Sequence, residues 1–263
     1  MEENMNDEIT LRRLDDMHCH FRLGSLFAEV LPFTARYAGR GIAMPNTRPR
    51  AILTADDVVW YRDEIKNVLN EIPNRFSFEP LMTIEIRDNT TPKMIVEARC
   101  VGTVAGKVYP LGVTTNSDEG LRDFFNKQIS ETFQMMQDIG MLLLIHGELN
   151  LGRILVTKRE EVFLPTLLIL TEKFPDLKIV LEHISTKTAV KTVKQLGKNV
   201  AATITAHHLC LTLNDVIGDG IQPHNICMPI AKDFDDRDAL IWAATSGNQK
   251  FFLGSDTDPH QRE

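Results

Sequence analysis

Apolar residues along the chain fall into two kinds of run. Short, almost continuous ones (GIAMPN, FSFEPLMTI, GTVAGKVYP, MLLLIHGE, LKIVLEHIS, NVAATITAHH and KFFLGSD) follow a first stretch that ends in HCH. Together they read as eight strands. The longer stretches between them carry apolar positions every three or four residues, as helices do: LFAEVLPFTARYA, TADDVVWYRDEIKNVLN, TPKMIVEARC, LRDFFNKQISETFQMMQDIG, TLLILTEKFP, TKTAVKTVKQLG and DRDALIWAATSGN. Thr54 and Ser185 suit helix N-caps, Gly140 and Gly197 suit helix stops, and Pro165 predicts a helix that starts or kinks there.

Strands that are apolar on both faces and alternate with helices imply a parallel sheet covered by helices. Right-handed crossovers leave an open doubly wound sheet or a closed barrel, and eight strands favour an α/β fold of the (β/α)8 TIM-barrel type. The polar residues that end the apolar runs support the same choice. His18 and His20, Lys107, His146, His183 and Asp256 would all open on the C-terminal face of a barrel, where such enzymes build their sites. No internal repeat, low-complexity tract or Gly/Ser linker divides the chain, so residues 1–263 are expected to form one domain.

Composition narrows the partners. The 263 residues are 43% hydrophobic and 25% charged, which suits one large α/β domain. A formal net charge of −7 disfavours a nucleic acid or an anionic membrane as partner, leaving a small molecule. The acidic start, MEENMNDEIT, lacks the basic flank and apolar core of a secretory signal, and no apolar run approaches the ~18 residues of a membrane helix. A cytoplasmic location is expected. Cys19, Cys100, Cys210 and Cys227 form no CxxC pair and read as reduced, mostly buried thiols, with Cys210 and Cys227 packed in the core.

Side chains two apart on a strand share a face, roughly 6–7 Å apart at Cα, so His18 and His20 can turn onto one ion while Cys19 points away. An HxH pair alone is a weak signal, and a single histidine such as His146 or His183 reads first as a core residue. Four strand-terminal histidines with a strand-terminal aspartate are the donor set of a catalytic zinc site, which activates water near neutral pH. Lys107, flanked by apolar residues, admits three readings: a lysine snorkelling to the rim, an amine forming a Schiff base, or an anionic carbamate bridging two metals. Five other ligands are too many for one tetrahedral zinc and too few for two without a bridge, which favours the carbamate.

The segments DMHCHFR, AMPN, PLMTI, GKVYP with TTNS, LLIHGE, LEHISTK, ATITAHHL, MPIAK and FLGSDTDPH resemble, in order and spacing, the dihydroorotases of the bacterial single-function type, within the amidohydrolase superfamily. The resemblance covers nearly the whole chain. It implies a zinc-dependent cyclic amidohydrolase of pyrimidine biosynthesis that interconverts N-carbamoyl-L-aspartate and L-dihydroorotate. Two zinc ions would be held by His18, His20 and Asp256 on one side and by His146 and His183 on the other. Lys107, modified to N6-carboxylysine, and a hydroxide would bridge them. Asp256 would be the general acid and base. Arg22, Asn46 and His260 would grip the substrate carboxylate, Met228 would contact the ring through its main chain, and Thr114 and Thr115 would sit on a closing loop. The family also suggests a homodimer. His207, His208 and His224 receive no ligand role.

Departures from the family are also visible. It continues after strand eight with a loop, an eighth helix and a C-terminal segment, whereas this sequence ends at Glu263. The expectation is a C-terminally truncated barrel without its last covering helix, with apolar surface exposed between the first and seventh helices. The tract LNLGRILVTKRE after His146 also differs from the family's more acidic sequence. The alternatives are a catalytically impaired dihydroorotase-like binding or scaffold protein, or another hydrolase of the superfamily. Lys107 and the net negative charge argue against a mononuclear deaminase and a nuclease.

Overall fold

In the computed structural model, which describes residues 10–72 and 77–259, eight parallel strands form one sheet in sequence order. They are β1 (Leu14–Cys19), β2 (Ala38–Ala43), β3 (Glu79–Ile86), β4 (Ala105–Val108), β5 (Leu142–His146), β6 (Ile179–Glu182), β7 (Val200–Ile204) and β8 (Phe251–Leu253). The sheet closes at its C-terminal end, where Asp256 N–H donates to the His18 carbonyl at 2.9 Å and His20 N–H to the Thr257 carbonyl at 3.0 Å. The result is the (β/α)8 barrel that the apolar pattern predicts.

Helices α1 (Ser25–Tyr37), α2 (Ala55–Glu71), α3 (Pro92–Cys100), α4 (Lys127–Asp138), α5 (Arg159–Lys173) and α6 (Lys187–Gln195) connect successive strands. After β7 come two short helices, α7 (Ala206–Cys210) and α8 (Leu213–Ile217), and then α9 (Phe234–Thr245). The strands read as continuously apolar because both faces are buried. Leu143, Ile145 and Leu181 face outward into the shell of helices, whereas Ala105, Leu144 and Val180 form a separate cluster inside the barrel with Ile42 and Met44.

Several boundaries differ from the sequence expectation. Thr54 caps α2 through a full capping box with Asp57, as predicted, but α6 is capped by Thr186, not Ser185. Both hydroxyls near that cap donate to the buried Glu160 carboxylate, at 2.8 Å from Ser185 and 2.6 Å from Thr186. Pro165 does not start a helix, since α5 begins at Arg159 and runs through it. Burial of Phe163, Leu164, Leu167 and Leu170, at about 1.5–3 kcal/mol for each large side chain, outweighs the ~3 kcal/mol that an interior proline costs. Helix α4 starts at Lys127, not at Leu121, because the Asn126 side chain accepts from Ile129 N–H and caps it. Strand β7 stops at Ile204, so His207 and His208 lie on α7, not on a strand. Cys19 is buried as expected, but Cys100 and Cys210 are exposed and Cys227 is half-buried.

Candidate active site

The period of two inside the barrel carries chemistry to its mouth. On β4 the inward row is Ala105 then Lys107, on β5 it is Leu144 then His146, and on β6 it is Val180 then Glu182. His183 is one residue out of step and would point away from the interior if the strand continued. Its φ of 41° turns the backbone into the left-handed region, and its ring lies with centroids 4.7 Å from His146 and 5.0 Å from His18. Asp256 (φ 52°) and Arg22 (φ 58°) are bent in the same way. Such non-glycine conformations cost about 1–3 kcal/mol each and cluster at functional sites.

On β1 a register shift between Asp16 and Cys19 helps bring both imidazoles to the mouth. The Nε2 atoms of His18 and His20 are 3.1 Å apart, and Asp256 Oδ1 lies 3.3 Å from the first and 3.2 Å from the second. Donor atoms of these three buried residues all lie within 4.8 Å of one another, as metal ligands do. Gly254 allows this approach, because a Cβ there would sit 2.8 Å from the His18 Cβ. Burial lowers the pKa of His20 to about 4, against the pull of Asp256, and also lowers those of His146 and His183. Those three rings are therefore neutral at pH 7, the form that binds a cation. Burial alone would raise Asp256, but the imidazoles of His18, His20 and His183 hold its carboxyl well below the usual range.

Lys107 is fully buried, which excludes the snorkelling reading. Its Nζ has no hydrogen-bond partner among the described residues and lies 5.0 Å from the centre of the Tyr109 ring. Burial lowers its pKa to about 8, with the charges of Glu182 and Asp256 acting the other way. His183 Nδ1 is likewise buried without a partner among the described residues.

Two carboxylates beside the cluster were not identified from the sequence. Glu182 Oε2 lies 2.5 Å from His18 Nδ1 and accepts from the Thr203 hydroxyl at 2.8 Å. Glu148 Oε2 lies 2.9 Å from His146 Nε2. Each fixes the ring it touches, the usual second contact of a metal-binding imidazole.

The small cavity beside the cluster is lined by Asn46, Tyr109, Thr114, Thr115, Met228 and Asp258 together with His20, His146, His183 and Asp256. Its volume is about 10 Å³, room for no more than one water. The loop carrying Thr114 and Thr115 lies over it: the Asn46 side chain donates to the Thr115 carbonyl at 3.3 Å, and the Asn116 side chain to the Asn46 carbonyl at 2.9 Å. Arg22 forms an ion pair with Asp258, a residue the sequence reading left aside, and its Nε donates to the Pro259 carbonyl at 3.4 Å. His260 lies outside the described residues. Two roomier clefts, about 590 and 560 Å³, are lined by residues such as Leu14, Met17, Leu142 and Ile179, away from the histidines. His208 is structural, with its ring nitrogens 2.7 Å from the Thr205 hydroxyl and 2.8 Å from the Pro229 carbonyl, and His224 is exposed. Among the described residues no helix is long and apolar enough to cross a membrane.

No protein-family model matches the chain. It is 47% identical over 255 residues to the dihydroorotase of Acidovorax sp. strain JS42, covering 97% of this chain and 72% of that relative. Its fold superposes on the crystal structure of dihydroorotase from Campylobacter jejuni with a TM-score of 0.87 at 38% identity, covering 94% of this chain and 70% of the other. Dihydroorotase from Saccharomyces cerevisiae, solved in complex with 5-fluoroorotic acid, matches with a TM-score of 0.83 at 38% identity, over 94% of this chain and 69% of that one.

Proposed function

The chain belongs to the dihydroorotase family, and on that premise we propose that it catalyses the reversible cyclisation of N-carbamoyl-L-aspartate to L-dihydroorotate in pyrimidine biosynthesis. The observation that carries this reading is the convergence of His18, His20 and Asp256, together with a buried Lys107 amine that has no hydrogen-bond partner among the described residues. This donor set fits two zinc ions. His18, His20 and Asp256 would hold one, His146 and His183 the other, and Lys107 as N6-carboxylysine would bridge them. Zinc there supplies an activated water near neutral pH and polarises the reacting carbonyl.

The chain's own residues then bind, orient and move protons. In the hydrolytic direction Asp256, ionised at rest, takes the proton of the attacking water and delivers it to the ring nitrogen as the amide C–N bond breaks. In cyclisation it removes a proton from that nitrogen and returns it to the departing water. Arg22, with Asn46 and His260, grips the substrate carboxylate through charge-assisted hydrogen bonds. To do so Arg22 must exchange Asp258 for the substrate. Met228 contributes a main-chain contact to the ring. A cavity of about 10 Å³ admits no dihydroorotate, so the loop of Thr114 and Thr115 must lift for binding and close again to exclude water. The family resemblance suggests a homodimer, and a cytoplasmic location is part of the same proposal.

A direct assay of carbamoyl-aspartate cyclisation tests the reading, together with metal analysis of the purified protein. Turnover with two zinc ions per chain is expected. Zinc at one or none per chain, with Lys107 unmodified at high bicarbonate, overturns the binuclear site. Asp256→Asn is expected to abolish turnover in both directions while retaining part of substrate binding. Undiminished turnover removes Asp256 from proton transfer.

A further inference from the structure

The Asp256 carboxylate stands between two donor sets. Its Oδ1 faces His18 and His20, whereas its Oδ2 lies 3.7 Å from the Cys227 thiol. His207, Cys227 and Asp256 each offer a donor atom within 4.8 Å of the other two. The Nε2 of His207 is buried with no hydrogen-bond partner among the described residues. Its ring is held in place by His208, with centroids 4.3 Å apart, and His208 is itself pinned at both nitrogens. His207 and Cys227 are half-buried, not sealed from solvent. Neither residue lines the cavity beside the histidine cluster.

We propose that His207, Cys227 and Asp256 form an additional, inhibitory site for a thiophilic divalent cation such as zinc in excess or cadmium. A thiolate, an imidazole and a carboxylate are the donor set that selects such ions over magnesium or calcium, and three protein ligands leave the fourth position to water. Binding replaces the S–H bond of Cys227 by an S–metal bond and releases the proton to solvent. Neither sulfur nor metal changes oxidation state. The cation also takes Asp256 Oδ2, so the carboxylate can no longer carry a proton. That inhibitory consequence rests on the role proposed above for Asp256, whereas the binding itself does not.

The test uses the zinc-loaded protein in a Cys100→Ser, Cys210→Ser background, which removes the two exposed thiols, and titrates it with cadmium. A cadmium–thiolate charge-transfer band saturating at one equivalent per chain is expected, with activity falling along the same curve. Cys227→Ser and Cys227→Ala should each abolish the band. His207→Gln should weaken cadmium binding at least about tenfold. Activity is expressed relative to each variant's own metal-free-buffer value. No band, a band that survives both Cys227 variants, or affinity unchanged in His207→Gln overturns the site. A full band with undiminished turnover overturns the inhibitory role while leaving the binding site in place.

Discussion

Glu182 Oε2 approaches His18 Nδ1 to 2.5 Å, and both side chains are buried. The carboxylate accepts the Nδ1 proton and so leaves the Nε2 lone pair of His18 facing His20 and Asp256. Glu182→Gln preserves shape but removes the charge that fixes this tautomer. Zinc affinity should fall about 10–100-fold, as for other carboxylates that orient metal-binding imidazoles. Competition with a chromophoric chelator measures it, and an unaltered affinity would show that His18 is oriented by its packing alone.

The ion pair between Arg22 and Asp258 sets a second expectation. A substrate carboxylate that uses Arg22 must displace a carboxylate already attached to the chain. Asp258→Asn removes that competitor with little change in volume. KM for carbamoyl aspartate should fall about three- to tenfold, equivalent to roughly 0.7–1.4 kcal/mol, with a smaller change in kcat. Steady-state kinetics in both directions decide it. A raised KM would instead mean that Asp258 positions Arg22 for the substrate.

The barrel and most of the polar residues at its mouth are legible in the sequence because a single rule, the period of two along an inward-facing strand, places Lys107 above Ala105 and His146 above Leu144. The same rule applied to HGE would have found Glu148, two residues after His146 and in contact with it. Glu182 is a different matter. It lies two residues after Val180 on the same inward row, but nothing in the sequence pairs it with His18, whereas His183 reaches the site only because the chain turns left-handed there, which no periodicity records. The pairing of Asp258 with Arg22 spans nearly the whole chain and depends on barrel closure, so spacing cannot reveal it. Local helix signals fail where tertiary burial outweighs them, as along the apolar face around Pro165.

Burial that lowers Lys107 to about 8 has a direct chemical consequence for the metal-free protein. Carbamate formation needs the neutral amine. At pH 7 about one Lys107 in ten is neutral, against about one in three thousand for an ordinary lysine. At fixed dissolved CO₂, the initial rate of labelling of Lys107 from ¹³C bicarbonate should therefore rise about tenfold per pH unit below pH 8 and level off above it. Carbon-13 NMR of the carbamate follows the reaction, with Lys107→Met as the blank. A midpoint near the ordinary lysine value would show that the amine is solvated.

The loop over the cavity is held partly by Asn116, whose side chain donates to the Asn46 carbonyl at 2.9 Å and whose φ is 59°. Its backbone carbonyl accepts from Arg48 at 2.8 Å, and that bond survives any substitution at the position. Asn116→Ala removes one hydrogen bond, about 1 kcal/mol, and places a residue poorly suited to the left-handed region. A combined loss of about 1–2 kcal/mol lowers the population of the closed loop about 5–30-fold relative to the open one. The value of kcat/KM should fall by a comparable factor. Asn116→Gly loses the same hydrogen bond but tolerates the backbone conformation, so it should fall less, by roughly fivefold. Proteolytic cleavage within residues 111–117 should accelerate in the same order, alanine above glycine above wild type. Equal effects of the two substitutions would assign the latch to the side chain alone, and no effect of either would mean that Arg48 and the Thr114–Ser117 turn suffice to keep the loop down.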